Sequence, residues 1–181
     1  MSENLAVASP SEASTELFHI IEAMVISVVR PMALARDPKR TGGWFTLWRK
    51  TPWNVADTEA VPVVGFPIGV VSAERFLTYI HFANEKAARL SVHPEHVSSW
   101  QSRDERDTDR MKHKYGGAIR CYNGLFFSFS GFSELEDEMI CTLAALELGV
   151  IGRDDIMMII ASSGNEPLAK HLRSLVAGTG A

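Results

Sequence analysis

Hydrophobic residues near the start of the chain recur every three or four positions. Over residues 14–35 this spacing predicts an amphipathic helix. Pro31 is expected to end or kink that helix, because proline has no backbone N–H and its ring crowds the preceding turn. Residues 1–13 carry no such pattern. They predict a disordered lead, which leaves residues 14–181 as a single domain.

Two later segments show the patterns of strands. Large side chains alternate over residues 43–50, which predicts a strand. One face would carry Trp44, Thr46 and Trp48. The other would carry Phe45, Leu47 and Arg49. Residues 61–71 are apolar but contain two prolines, which predicts an irregular extended segment at a sheet edge. The residues between them, 51–60, predict a loop.

A long amphipathic helix is predicted over residues 72–92. Ser72 can serve as its N-cap, and Pro94 lies just beyond its end. Its apolar stripe comprises Phe76, Ile80, Ala83, Ala87 and Leu90. Residues 97–114 follow it and are densely charged, which predicts a solvated helix or loop.

The dipeptide Asn123-Gly124 predicts a β-hairpin, because it separates two apolar runs, residues 118–122 and 125–130. Both central residues of a type I′ turn need a positive φ, which Asn and Gly tolerate best. Alternation along the second strand places Phe127 and Phe129 on one face.

The hairpin leads directly into the acidic start of a helix. Gly131 breaks the second strand, and Ser133 with Glu136 forms a capping box. This helix is expected to end at Gly149 or Gly152. Residues 154–161 predict a further helix or strand, and Asn165 can cap a final helix. About five helices and three or four strands without regular β-α-β alternation predict an α+β fold with a small antiparallel sheet packed by helices.

Composition excludes several classes of protein. The chain has 181 residues, 46% of them hydrophobic, and a net charge of −4, which gives no reason to expect nucleic acid as a partner. No apolar run reaches the roughly 18 residues of a membrane span, so we expect no membrane association. Cys121 and Cys141 fall inside predicted elements and are expected to be free and buried. The cytoplasm is therefore the expected location.

The region from residue 72 to residue 149 resembles the C-terminal half of the GlcG/HbpS-like haem-binding family. The resemblance rests on these motifs: Gly116-Gly117, Asn123-Gly124, Ser130-Gly131, Ser133, Glu136-Asp137 and the helical stretch at residues 82–87. It implies a profilin-like α+β sandwich that binds haem, or a similar planar anionic molecule, in a pocket between sheet and helix. It also implies a homo-oligomer.

Six residues are candidates for binding such a ligand: Lys86, Gly117, Arg120, Gly131, Ser133 and Asp137. The two cations could hold a carboxylate or a haem propionate through charge-assisted hydrogen bonds. Two alternatives stay open. Asp137 and Arg120 could instead be catalytic residues of an enzyme acting on a small organic acid. Alternatively, capping explains Glu136 and the helix dipole explains Asp137 without any ligand.

Histidines supply the candidate metal or haem ligands. His93 and His96 flank Glu95 within four residues, and His113 follows downstream. His81 lies in the long predicted helix, which could present it rigidly to a haem. The alternative is that the loop histidines are simply solvated and that His81 lies at the edge of a core.

The sequence lacks the motifs of several enzyme classes. It contains no G-x-S-x-G nucleophile elbow, no Walker A loop and no Rossmann glycine fingerprint. This argues against a hydrolase, a nucleoside triphosphatase or a dehydrogenase. A third possibility is an assembly module whose aromatic face and long helices bury against a second subunit.

Overall fold

The computed structural model describes residues 12–50 and 60–178, with side chains from residue 14 to 50 and from 60 to 175. An antiparallel sheet with the strand order β2-β1-β4-β3 forms its centre, and helices cover both faces. The predicted α+β class with a small antiparallel sheet packed by helices is therefore confirmed. The predicted loop over residues 51–60 lies outside the described residues except for Ala60.

The first helical segment is longer and less regular than predicted. It comprises α1 (Glu12–Met24), a π-helical turn (Val25–Val29) and α2 (Arg30–Arg36). Residues 12 and 13 therefore belong to α1, and the rest of the predicted lead lies outside the described residues. Pro31 does not end the helix, because it occupies the first turn of α2, which continues to Arg36. The widened π turn comes just before it, where an ordinary turn would crowd the ring.

The π turn also explains the spacing of the buried side chains. They recur at intervals of four residues and are Leu17, Ile21, Val25, Val29 and Ala33. An ordinary helix with 3.6 residues per turn would rotate such a series steadily away from the core. A turn with i→i+5 bonding holds more residues and cancels part of this rotation, so that the whole series stays buried.

Strands β1 (Gly42–Arg49) and β2 (Val61–Gly69) form the first half of the sheet. The predicted alternation in β1 is confirmed, because Phe45 packs on the side of α1 while Trp44 contacts Phe76 of the next helix. β2 is an edge strand, as predicted. Its prolines are tolerated there because one side of an edge strand makes no ladder hydrogen bonds.

Helix α3 (Ala73–Ser91) packs against one face of the sheet. Ser72 occupies its N-cap position without a side-chain capping bond. Two 3₁₀ turns follow at Ser99–Ser102 and Arg110–Lys112, within the segment predicted as a solvated helix or loop. Ala87 and Leu90 of α3 meet Phe126 of the sheet in a small apolar cluster.

Strands β3 (Ala118–Arg120) and β4 (Leu125–Ser130) form the predicted hairpin. Asn123 and Gly124 both have positive φ, 57° and 69°, as the sequence predicts, although a 3₁₀ turn at Tyr122–Gly124 shortens the first strand. Phe127 and Phe129 point away from α3 into the main core. Cys121 and Cys141 are free and buried, as expected.

Three helices complete the chain. α4 (Glu134–Glu147) begins at the capping box of Ser133 and Glu136 and packs against β4 opposite α3. α5 (Arg153–Ser163) and α6 (Glu166–Gly178) follow, and the side chain of Asn165 caps α6 by accepting from the Leu168 N–H at 3.1 Å. The sheet therefore lies between α3 on one side and α1 and α4 on the other.

The segment Ser14–Arg36 is long and apolar enough to cross a membrane, with a mean hydropathy of 1.7. This property reflects length and composition alone, and a buried core helix or a signal sequence has the same length and apolar composition. Apolar side chains also stay exposed on β2 and at the start of α3, among them Val63 and Leu77. The predicted homo-oligomer and the predicted lack of membrane association stay predictions.

Candidate functional site

A cleft of about 570 Å³ opens between α3, the start of α4 and the chain around residue 111. Its size falls in the range of small-molecule sites. Four of the six residues predicted to bind a ligand line it: Lys86, Gly131, Ser133 and Asp137. The structure therefore brings together residues from α3, from the end of β4 and from α4.

The base of the cleft is a buried ion pair. The Lys86 Nζ donates to Asp137 Oδ2 at 2.9 Å, and both side chains are at most 3% exposed. Lys86 also donates to the Phe129 carbonyl at 2.9 Å. Asp137 accepts a further bond from the Phe132 N–H at 2.9 Å. The pair thus ties α3 to β4 and α4.

Burial sets the protonation behaviour of this pair. Removal from water raises the pKa of Asp137 above its usual value, while the Lys86 ammonium and the Phe132 amide oppose the shift. Both carboxylate oxygens already accept hydrogen bonds. Asp137 is therefore fixed in place with its two oxygens engaged.

Two predicted glycines allow close backbone approaches, Gly117 to this pair and Gly131 to the start of β1. Gly117 has φ +112°, and a Cβ there would lie 2.7 Å from Asp137 Cβ and 2.9 Å from Lys86 Nζ. Gly117 lies behind the ion pair rather than on the lining of the cleft. A Cβ on Gly131 would lie 2.6 Å from the Gly42 carbonyl oxygen. Only glycine fits either position without displacing neighbours.

The start of α4 is shaped by its cap. Glu136 accepts hydrogen bonds from the Ser133 N–H at 3.0 Å and from Arg36 Nη1 at 3.3 Å. Its side chain is 2% exposed. The interpretation of Glu136 as a capping residue is confirmed, and no ligand is needed to explain it.

Aromatic side chains form a large part of the cleft wall. They are Tyr79, Phe82, Tyr115 and Phe132. Phe82 and Tyr115 meet edge to face, with ring centroids 5.0 Å apart. Such rings offer flat apolar surface for stacking.

Guanidinium groups also line the cleft. They belong to Arg40, Arg75 and Arg110. Arg40 also pairs with Asp37 at 3.3 Å, and Arg75 donates to the Tyr79 hydroxyl at 3.4 Å. The carboxylates of the lining are already engaged, because Asp137 pairs with Lys86 and Glu134 accepts from Arg103 Nε at 2.8 Å. The local charge balance therefore favours an anion.

Arg120 does not line the cleft, which corrects its placement as a ligand anchor. Its guanidinium donates to the carbonyls of Leu90, His93 and His96 at 2.9, 2.6 and 2.9 Å. It also lies over the Phe126 ring, 4.9 Å from the centroid. The alternation of the short strand β3 directs this side chain to the end of α3. Arg120 is therefore not available to act with Asp137 in the cleft.

The candidate histidines fall into separate places. His81 is exposed and contacts the Met111 carbonyl through Nε2 at 3.0 Å. The two nitrogens of His113 contact the Tyr115 hydroxyl at 3.0 Å and the Asp107 carbonyl at 2.7 Å. Neither histidine lines the cleft, although both hold residues that do. His93 and His96, in contrast, meet Glu95 at the end of α3.

No protein-family model, curated protein or solved structure matches the chain. The resemblance to the GlcG/HbpS-like family therefore stays a prediction. The case for a function rests on the chemistry of the site itself.

Apart from Lys86, sequence reasoning missed the cationic residues of the cleft and the aromatic residues Tyr79, Phe82 and Tyr115. One signal could have found part of them, because Arg75, Tyr79, Phe82 and Lys86 follow one another at helical spacing on α3. Once Lys86 is assigned to a site, the residues four, seven and eleven positions before it on the same helix become candidates for that site too. Arg40 and Arg110 come from distant segments and carry no such local signal.

Proposed function

We propose that the protein binds a small planar anionic molecule in the cleft. The observation that carries this proposal is the pairing of an aromatic wall with guanidinium groups around one cavity. Stacking on the rings suits a flat apolar body, and the arginines suit its carboxylate or phosphate groups. The same cavity is large enough for a ligand of cofactor size.

The ion pair of Lys86 and Asp137 supports this function as a rigid base. Lys86 has three N–H donors and directs two of them to Asp137 and the Phe129 carbonyl. Lys86 and Asp137 neutralise each other, so the arginines of the cleft lining are the groups that attract an anion. Arg40, Arg75 and Arg110 are therefore the residues on which affinity depends most.

Haem is the member of this ligand class that we propose to test first, because it combines a flat ring with two propionates. The cleft-lining groups that could ligate its iron are the hydroxyls of Tyr79 and Tyr115 and the thioether of Met111. The histidines predicted as ligands do not line the cleft. Iron ligation by His81 would require the helix residue to leave its contact with Met111.

The test is a titration of untagged protein with haem, followed by the Soret band. Binding in the cleft predicts a shifted band that saturates near one equivalent. Arg75→Ser or Arg110→Ser should weaken binding about tenfold, since each removes a charge-assisted contact. Metal-free protoporphyrin in a parallel titration separates recognition of the anionic ring from ligation of the iron.

The matched control is Arg173→Ser on α6, which removes an arginine that lies outside the cleft lining and is 65% exposed. It should leave the affinity unchanged. A Soret band identical to that of free haem, together with no binding of protoporphyrin, would contradict the proposal. Equal weakening by all three arginine variants would also contradict it, because that result indicates general charge attraction.

A further inference from the structure

The turn after α3 gathers two imidazoles and one carboxylate. His93 Nδ1 and His96 Nε2 lie 3.2 and 3.3 Å from the same oxygen of Glu95, Oε1. The three ligand atoms all lie within 4.8 Å of one another. Ligands bound tetrahedrally at about 2.0–2.1 Å from an ion are separated by roughly 3.3–3.4 Å. Two of the three distances between ligand atoms therefore already match those between the ligands of a tetrahedral site.

Accessibility also suits an ion. The side chains of His93 and Glu95 are 40% and 61% exposed, so small rotations can close the third separation. His96 is more constrained, with a side chain 17% exposed. Its Nδ1 is buried and has no hydrogen-bond partner among the described residues, so that Nε2 is the nitrogen that faces Glu95 and the solvent.

The backbone of this turn is held from outside by Arg120. That guanidinium donates to the carbonyls of Leu90, His93 and His96. The three bonds fix the positions from which both imidazoles project. The turn also follows the C-terminus of α3, where the helix dipole favours a cation.

We propose that His93, Glu95 and His96 form a site for a divalent transition-metal ion of the Zn²⁺ type. Two imidazoles and one carboxylate suit Zn²⁺ and its neighbours in the first row, while Mg²⁺ and Ca²⁺ prefer oxygen ligands alone. Three protein ligands leave one position for water or another small ligand. The site is independent of the cleft, because none of the three residues lines it.

The experiment is a titration of untagged protein with Zn²⁺ by isothermal calorimetry, with Mg²⁺ as a second titrant. We expect one equivalent of Zn²⁺ to bind and no heat from Mg²⁺ under the same conditions. His93→Ala, His96→Ala and Glu95→Gln should each weaken Zn²⁺ binding by more than about tenfold, because each removes one ligand. Since Glu95 and His93 are exposed, circular dichroism should show that the Glu95→Gln and His93→Ala variants remain folded.

The matched control is His19→Ala. His19 also lies near a carboxylate, with Nδ1 3.8 Å from Glu22 Oε2, but this pair lacks a second histidine. The variant should bind Zn²⁺ like the unmodified protein. The proposal fails if no Zn²⁺ binds, or if the three ligand variants bind as tightly as the His19→Ala protein. It also fails if a synthetic peptide of residues 89–97 binds equally well, because the fold would then contribute nothing.

Discussion

The body of α3 and the turn beyond its C-terminus carry similar contacts in opposite surroundings. Near its middle, Lys86 meets Asp137 at 2.9 Å, and both side chains are almost completely buried. Beyond its C-terminus, His93 meets Glu95 at 3.2 Å with both side chains open to solvent. In the buried pair, loss of one partner leaves the other charge uncompensated, because no water can replace it. The exposed contact can rearrange at little cost. Burial, rather than distance, therefore separates a structural ion pair from a candidate binding site.

The buried pair of Lys86 and Asp137 should respond most strongly to substitution. Asp137→Asn leaves the Lys86 ammonium in the interior without a carboxylate. We expect the free energy of unfolding to fall by about 3–5 kcal/mol, the usual cost of an unpaired buried charge. Urea denaturation followed by circular dichroism measures this loss.

The double variant Lys86→Met with Asp137→Leu is the control for that prediction. It removes both charges, so most of the stability should return. A single variant with an unchanged melting temperature would contradict the structural role. If that variant also lost turnover of a small organic acid, the enzymatic alternative for Asp137 would gain support.

The close approach of the backbone behind the pair predicts the next largest effect. Gly117→Ala should lower the free energy of unfolding by about 2–4 kcal/mol, because the new Cβ meets Asp137 and Lys86 at a positive φ. Gly149→Ala is the matched control, since Gly149 has φ +66° but nothing lies within 4 Å of the added atom. It should cost about 1–2 kcal/mol, from the backbone alone. Equal losses measured by thermal denaturation would show that the contact with the pair is unimportant.

Glu138 shows what burial does to a carboxyl that pairs with no cation among the described residues. Ser98, Ser163 and Asn165 donate hydrogen bonds to it. Burial raises its pKa above the ordinary value of 4.5, despite these donors. Its contribution to stability is therefore greatest below pH 4.5 and falls as pH rises through the raised pKa, because the folded state holds a proton that the unfolded chain has released.

Glu138→Gln removes this titration. We expect the stability of the unmodified protein relative to the variant to improve as pH falls, by at most about 1.4 kcal/mol per pH unit. Denaturant unfolding of both proteins at pH 5 and pH 8 tests the direction. A difference that stays constant, or that grows with rising pH, would contradict the raised pKa.

The exposed turn should respond least. Glu95→Gln, at a side chain 61% exposed, should change the free energy of unfolding by less than about 0.5 kcal/mol. The measurement is again urea denaturation, in the absence of added metal. A loss above about 1.5 kcal/mol, on the order of a buried contact, would remove the contrast between the buried pair and the exposed turn.

The sequence predicts the features that depend on neighbouring residues. The turn at Asn123 and Gly124 needs only two residues that tolerate positive φ. The capping box of Ser133 and Glu136 likewise needs only four consecutive positions. The alternation in β1 follows from the period of a strand, so it predicts the two faces without knowledge of what covers them.

Features that join distant segments were not predictable in this way. Arg40 and Arg110 reach the cleft only because the sheet and α3 bring their segments together. Arg120 is chemically suited to an anion, but the direction of a three-residue strand decides that it binds carbonyls instead. Local pattern gives the type of a side chain and its element, while the tertiary fold selects its partner.

The π turn at Val25–Val29 fixes the phase of everything that follows it in the first helical segment. If the same residues were wound as an ordinary α-helix, α2 would be turned by about 100° around its axis. Ala33 would leave the interior, and Arg36 would swing away from Glu136 at the start of α4. A one-residue irregularity far from the cleft thus determines whether Glu136, at the start of α4 beside the cleft, keeps its contact with Arg36.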